Sequence, residues 1–584
     1  MTESMLATDS LVAVDVSEIT TRAVLFDIVG GRYRFLAAGS AQTTLGAPYY
    51  DIGEGVHLAF NNLQQISGRS LLDVDGRLKM PGAPDGSGVD NLVVNFSAGP
   101  PLRVVVIGLL EDISVESACR LAKTTYTRVV RTFNLNDRMK VEDRIDAIMK
   151  VRPDLIIVAG GTDGGASHSV MQMIESVGLA CRLFQPGQTP EVLFAGNQML
   201  IPDVKAYLDN LSNLHISPNV RPTIETEQIS PSQLQMSQIY RALRIRQIAG
   251  VHELDTWASG RLFSTGSTFG RMIQFLSGIY DSKKGVLGID ISESATTLAA
   301  SSAGELTLGV YPELGLGSGV TGFLEACPLA DIKRWMQVES NDDYIRDYIY
   351  NRSCYPGTIP INNEDLEIEQ ALVRQAIRIA VNRNLAYLSA TSGRISTELL
   401  PYFEPIVAAG SFLTRSPTLG QCLLMLLDGL QPNGITTLVL DQNHLTALLG
   451  AAASVHPLLS VQVLESNTFL NLGTVISPIA TVRMGTPILR IKMKDESHNN
   501  QTMEVKQGEL EVINLPLGQT AQLHLQPYNR ADVGMGGPGR GGTVKVVGGA
   551  LGVVIDARGR PLNLPADFAQ RRDLQKKWLW SLGG

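Results

Sequence analysis

Cysteine is scarce in this chain of 584 residues, which has five. Cys119, Cys181, Cys327, Cys354 and Cys422 stand far apart, and no two form a CxxC pair. An odd count at such spacings supports neither a disulfide framework nor a zinc site. A surplus of positive charge is missing too. The 49 Lys and Arg are outnumbered by 57 Asp and Glu, giving a net charge of −8. That leaves no basic footprint for nucleic acid. No apolar run approaches the roughly 18 to 20 residues that span a bilayer. The opening MTESMLATDS has neither a basic n-region nor an apolar h-region, so it does not read as a secretory signal. These absences predict a cytoplasmic protein without a membrane span. What is present is an ordinary globular composition, 44% hydrophobic and 18% charged, at a length that allows about three or four domains.

Two stretches organise the rest. Leu11 to Asp27 reads LVAVDVSEITTRAVLFD, and Val286 to Ser301 reads VLGIDISESATTLAAS. Each is an apolar run, an Asp, a short Ser/Glu/Thr loop and a second apolar run. Both read as β-hairpins, with Asp15 and Asp290 at the ends of the first strands. The repeat of D-[VI]-S-E followed by Thr-Thr predicts two similar halves facing each other across a cleft. Backbone N–H groups and hydroxyls in such turns suit a phosphate chain. An Asp before each turn suits Mg²⁺, held directly or through its waters. The alternative for either stretch alone is a hairpin with a polar turn.

Between the hairpins the pattern alternates. RVVVIGLL (103–110) reads as a buried strand, Arg128–Phe133 as another, and DLIIVAGG (154–161) as a strand covered on both faces. The last runs into GTDGGASHSVMQMIESV, a Gly-rich turn opening a helix. Glycines allow close backbone approach, and a helix N-terminus favours an anion. Asp163 is the one acid in that turn; the alternative is a Gly-rich connection whose Asp caps the helix. Pro202–Gly285 reads as mostly helical, with Arg241, Arg244 and Arg246 on a solvated helix face. Asp365–Ser389 reads as a long amphipathic helix. In the helix Leu445–Val455, small residues around Gly450 are expected to let a neighbour pack close. After about Val475 strands alternate with Gly and polar turns, which predicts a separate, mainly β domain. Its basic tail carries Trp578 and Trp580, expected to dock on the body or on a partner. Gly534–Gly542 does not follow a strand and open a helix, so it reads as a turn.

Taken in order, the Asp hairpin, PDLIIVAGGTDGG, VLFAGN, the second Asp–Thr-Thr hairpin, IVAAGS and LVLDQNHLTALLGAAASVHP resemble one family. It is the family of accessory proteins of adenosylcobalamin-dependent glutamate (methylaspartate) mutase, glutamate mutase L, in the actin, sugar-kinase and DnaK-type superfamily. The resemblance covers roughly residues 10 to 460. It implies an α/β, actin-like two-lobed ATPase fold of duplicated ribonuclease-H-like domains, with a C-terminal β-rich domain. The expected division is 1–215 for the first lobe, 216–284 for a mainly helical connection, 285–475 for the second lobe and 476–584 for the β-rich domain. It implies ATP and Mg²⁺ in the cleft. Asp15, Ser17, Thr20 and Thr21 would form the first phosphate loop, and Asp290, Ser292, Thr296 and Thr297 the second. Asp15 and Asp290 would hold the metal. Gly160, Gly161 and Thr162 would join the phosphate contacts, Gly410 and Ser411 would touch adenosine, and Asp163 would orient the attacking water.

The chain departs from the superfamily pattern D-x-G. Ser17 and Ser292 stand where Gly is usual, and Glu18 and Glu293 follow. The leading functional expectation is an ATP-driven chaperone or reactivase acting on the subunits of an adenosylcobalamin-dependent mutase, with slow Mg-dependent ATP turnover. The alternative is a self-associating actin-like scaffold or filament protein with weak or lost ATPase activity. A small-molecule kinase is a third, disfavoured by the resemblance. No cobalamin-ligand signature of the D-x-H-x-x-G type is present, which argues against the mutase itself.

Overall fold

The computed structural model describes residues 9–280, 284–388, 398–495 and 500–583. The first hairpin is real and is the centre of its sheet. Strand β1 (Leu11–Val16) pairs antiparallel with β2 (Thr20–Val29), and β2 with β3 (Arg32–Gln42). On its other side β1 runs parallel to β4 (Asn91–Phe96). The chain then leaves this sheet to build a second one. Its strands are β5 (Leu102–Ile107), β6 (Thr127–Phe133), β7 (Leu155–Val158), β8 (Glu191–Phe194) and β9 (Asn213–Ile216), all parallel, in the order β6-β5-β7-β8-β9. Their apolar runs are buried against helices, as a parallel sheet requires. The chain returns to the first sheet with β10 (Leu262–Ser264), parallel to β4. The first sheet therefore reads β3-β2-β1-β4-β10.

The second half repeats that order. Strands β11 (Val286–Ile291), β12 (Thr296–Ser302) and β13 (Glu305–Tyr311) form an antiparallel meander. β14 (Ile406–Ala409) and β15 (Gly434–Leu440) continue it in parallel, giving β13-β12-β11-β14-β15. The same five-strand order in both halves, three strands antiparallel and two parallel, is the duplicated ribonuclease-H-like, actin-like α/β fold. Asp15 and Asp290 occupy equivalent positions. Asp15 lies opposite Arg22, and Asp290 opposite Thr297.

The halves meet through the helix Thr265–Ile279. It lies against the helix Thr446–Ala452, and a Cβ on Gly450 would stand 2.0 Å from the carbonyl oxygen of Thr268. The close approach expected of the small residues in this helix is thus present. Arg244, expected on a solvated face, is instead fully buried. It donates to the Pro100 carbonyl at 2.7 Å and lies over the rings of Tyr126 and Tyr240. Its neighbours are paired, Arg241 with Asp255 and Arg246 with Glu191. The helix predicted over 365–389 runs Asn363–Asn384; Ser389 lies outside the described residues.

The C-terminal stretch is β-rich, but it divides between two sheets. β17 (Pro487–Asp495), β18 (Asn500–Lys506), β20 (Thr520–Pro527) and β21 (Gly542–Val547) form a sheet of their own. The strand β16 (Leu470–Ser477) pairs with β15, and β22 (Val553–Asp556) and β19 (Leu510–Ile513) then extend the second lobe to eight strands. The basic tail is the helix Phe568–Ser581. Trp578 docks on the body, its indole N–H donating to the Gly508 carbonyl at 3.0 Å, while Trp580 is exposed. No helix among the described residues is long and apolar enough to cross a membrane.

A buried charge network fastens this addition to the lobe. Arg558 bonds Asp556 at 2.9 Å and Asp428 at 2.6 Å. Arg560 bonds Asp556 at 2.7 Å, and Arg374 bonds Asp428 at 2.8 Å. The two guanidiniums hold the Asp556 carboxyl well below the usual carboxylate range, although burial alone would raise it. Asp556→Asn leaves two buried arginines short of a charge partner. It should cost about 3 to 5 kcal/mol of stability, read as a lower urea midpoint at unchanged slope. Because the folded-state pKa is depressed, the wild-type contribution is full at neutral pH and is lost as pH falls into the acid range. Asp556→Asn should flatten that acid limb.

Candidate functional site

Asp15, Ser17, Thr20, Asp290, Ser292, Gly410 and Ser411 line one cavity of about 320 Å³ between the lobes. The two hairpins are built alike down to the turn. Ser17 donates to the Thr20 carbonyl from its N–H at 3.0 Å and from its hydroxyl at 2.9 Å. Ser292 does the same to Ala295, at 3.1 and 2.9 Å. The serines that replace glycine thus spend their hydroxyls closing their own turns. Gly410 has φ +107, and a Cβ there would lie 2.1 Å from the Ile291 carbonyl oxygen. Only glycine lets the turn after β14 press onto the end of β11. The neighbouring Ser411 hydroxyl is buried and has no partner among the described residues.

Other expected residues stand behind the cavity. Thr21 shares a hydrogen bond with Thr43 at 2.9 Å, Thr296 donates to the Leu314 carbonyl at 2.8 Å, and Thr297 is buried in the sheet. Gly160, Gly161, Thr162 and Asp163 belong to the parallel sheet β6-β5-β7-β8-β9, and the structure does not bring them to the cavity. Asp163 Oδ1 accepts from the Gln198 N–H at 3.0 Å and from Asn219 Nδ2 at 2.9 Å. The expectation that it orients a water in the cleft is corrected. A strand–turn–helix motif carries no information about which sheet its strand joins.

The cavity's remaining chemistry was missed by the sequence reading. Asp441 follows β15, and its Oδ2 accepts from the N–H and hydroxyl of Thr446, both at 2.6 Å. Its Oδ1 is buried without a partner among the described residues, as is Asp290 Oδ1. Arg22, Thr265, Glu293, Arg415 and His444 also line the space. Thr265 donates to Asp15 Oδ1 at 3.1 Å, and Arg415 pairs with Glu293 at 3.2 Å. His444 holds φ +51, a backbone conformation uncommon outside glycine, and its ring lies 3.3 Å from the Thr414 hydroxyl. Two signals pointed here: Arg22 directly follows Thr-Thr and faces Asp15 across the hairpin, and D-Q-N-H sits where a strand gives way to a helix.

The electrostatics are those of crowded, buried acids. Burial pushes Asp15 up to about 6, against the pull of Thr265 and Arg22. Asp290 is pushed up to about 8, first by burial and then by the charges of Asp15, Asp441 and Glu293. Burial lowers His444, favouring the neutral ring. Two unpaired carboxylate oxygens and mutually repelling acids fit a divalent cation. Among the described residues, no three His, Cys, Asp or Glu side chains converge closely enough to ligate one ion directly. That pattern suits Mg²⁺, which keeps several waters and takes few carboxylates.

The lobes also touch at the hairpin tips. The Glu18 carboxylate accepts from the Ser318 N–H at 3.1 and 3.3 Å, and the Glu18 N–H donates to the Ser294 hydroxyl at 3.2 Å. Ser97 donates to that same hydroxyl at 3.3 Å. The tip of the first hairpin is therefore held by the second lobe.

The raised acids set a pH dependence for the ligand-free protein. Stability from their protonated forms is full below the ordinary value of 3.8. It is lost as pH rises through about 6 for Asp15 and about 8 for Asp290. Thermal unfolding between pH 5 and 8.5 should therefore show a falling midpoint. Asp290→Asn should flatten the upper part of that curve and raise the midpoint at pH 8; an unchanged slope would show that Asp290 does not carry the effect.

The family model described as MutL protein matches residues 11–468. A curated relative, Protein MutL of Clostridium tetanomorphum, is 21% identical over 353 residues, covering 56% of this chain and 74% of its own. Among solved structures, nucleotide-free diol dehydratase-reactivating factor aligns at 9% identity and TM-score 0.30, over 77% of this chain and 100% of its own. Component A of Acidaminococcus fermentans (R)-2-hydroxyglutaryl-CoA dehydratase aligns at 10% and 0.26, over 77% and 99%. The fold assignment rests on strand order rather than on these low scores. With both Asp hairpins, the Gly410 turn and Asp441 inside the matched span, the chain belongs to the MutL protein family, the glutamate mutase L family that its sequence resembles.

Proposed function

We propose that the cleft binds Mg·ATP and that the protein is an accessory factor, a chaperone or reactivase, for an adenosylcobalamin-dependent mutase. The observation that carries the reading is the pair Asp15 and Asp290. They sit at equivalent strand ends, in duplicated hairpins, on one cavity where Asp290 Oδ1 and Asp441 Oδ1 have no partner among the described residues. Asp15 and Asp290 would hold the cation, with Asp441 behind its waters. A cation there supplies charge neutralisation for the phosphates. Arg22 and Arg415 are the cavity's cations for phosphate oxygens. The hydroxyls of Ser17 and Ser292 close their own turns and are not needed for the phosphates. Ser411, whose buried hydroxyl has no partner among the described residues, would contact the nucleoside. Membership of the glutamate mutase L family supports the choice of partner.

Calorimetric titration of Mg·ATP tests the site. Asp15→Ala and Asp290→Ala should each weaken binding by tenfold or more, about 1.4 kcal/mol, while Ser17→Ala leaves it within a few-fold. Affinity should rise from pH 6 to pH 8, because Asp290 must give up its proton to serve the cation. Near neutral pH, binding should release protons, measured in buffers of different ionisation heat. No ATP binding at millimolar concentration would return the chain to the scaffold reading.

Asp441 replaces Asp163 as the candidate to orient a water, having one oxygen fixed and one free. Asp441→Asn should keep Mg·ATP affinity within a few-fold and cut ATP turnover by about 10²-fold or more. If turnover holds, Asp441 is only the cap on Thr446.

A further inference from the structure

The cleft leaves one motif unused, the Gly-rich loop after β7. Its sheet runs β6-β5-β7-β8-β9. In chain order that is 2-1-3-4-5, with the direction of winding reversed between β5 and β7. Open parallel sheets of this order make their contacts at the carboxyl ends of the strands, around that reversal. Four of the five loops on this edge expose a large apolar side chain. They are Leu135 after β6, Leu110 after β5, Met199 after β8 and Ile224 after β9, with 45, 46, 72 and 57% of their surface open. The fifth, after β7, is the glycine loop, and residues 163–168 are exposed along its whole crest.

These loops are stitched together. The Leu135 N–H donates to the Leu109 carbonyl at 3.2 Å, and the Gly164 N–H to Asn197 Oδ1 at 3.1 Å. Asp163 is the keystone. Its carboxylate takes Gln198 and Asn219, and its own N–H donates to the Pro222 carbonyl at 3.0 Å. It thereby joins the loops after β7, β8 and β9. An edge fixed in this way loses little freedom on binding.

Charge decides between two occupants. A glycine loop before a helix invites a phosphate, but the exposed acids of these loops are Glu111, Asp112, Asp137, Asp163 and Glu225, against Arg138 and Lys140. A net acidic edge repels an anion. Exposed apolar anchors set among acids suit a protein surface whose own anchors are ringed by Lys and Arg. We propose that the carboxyl edge of the β6-β5-β7-β8-β9 sheet is the docking face for a partner protein of that kind. Resting on the accessory-factor reading, the partner is the mutase.

The test uses the full chain and purified subunits of an adenosylcobalamin-dependent mutase in a surface-binding assay. Met199→Glu and Leu110→Glu should each weaken binding by about tenfold or more and leave calorimetric Mg·ATP binding unchanged. Asp163→Ala should speed amide exchange at Gln198 and weaken mutase binding. Asp163→Asn, which keeps the acceptor, should do neither. Binding should also weaken with added salt. If the mutase binds wild type and both glutamate variants equally, the docking face lies elsewhere and the accessory reading stands. If wild type does not bind the mutase at all, the choice of partner falls, and the docking proposal with it. A wild-type dimer that Met199→Glu dissociates in sedimentation, with mutase binding unchanged, assigns the edge to a second copy and overturns the proposal.

Discussion

Two buried carboxylates, one from each half, share a space too small to let both ionise cheaply. Asp15 and Asp290 end equivalent strands; burial raises the proton affinity of both, and the charge of Asp15 adds to it at Asp290. Removing them would relieve the strain of like charges, yet the rest of the site is arranged to keep them. Thr265 orients Asp15, Arg22 faces it across the hairpin, and Asp441 is clamped by Thr446 with one oxygen left free. Such a cluster is unfavourable without a counter-charge and favourable with one. The duplicated sheets, the close helix contact at Gly450 and the glycine at 410 all serve to bring these acids together.

The hairpins were legible because their signal is local. An apolar run, an Asp, a polar turn and Thr-Thr all lie within about a dozen residues, and the second copy confirmed the first. The serines were legible as departures but not in their effect. Only the turn geometry shows that Ser17 and Ser292 use their hydroxyls internally. Asp441 and His444 were hidden for another reason. They reach the cavity from the end of β15, whose place follows from β14 pairing with β11, more than a hundred residues earlier in the chain. Nothing in LVLDQNH alone states which strand it lies beside.

Asp163 shows the converse. Its local pattern was read correctly as a strand, a glycine turn and a helix, but the turn opens on a different sheet. Arg244 misled in the same direction, since an arginine on a helix was assigned to solvent. Burial with the Pro100 carbonyl and two tyrosine rings satisfies its charge instead. In both cases the residue's chemistry was evident and its surroundings were not.

The eight-stranded sheet has a consequence for the order in which the chain can fold as it is made. The first sheet is complete when β10 arrives at Ser264. The second lobe waits far longer. Its strand β16 needs β22, which ends at Asp556, and β22 brings the partners of the Asp428 network. A growing chain therefore carries a complete first sheet beside a second lobe with an open sheet edge and a buried Asp428 paired with Arg374 alone. Exposed strand edges invite pairing with the wrong chain. Until Asp556 leaves the ribosome, the second lobe is the part of this protein most in need of protection.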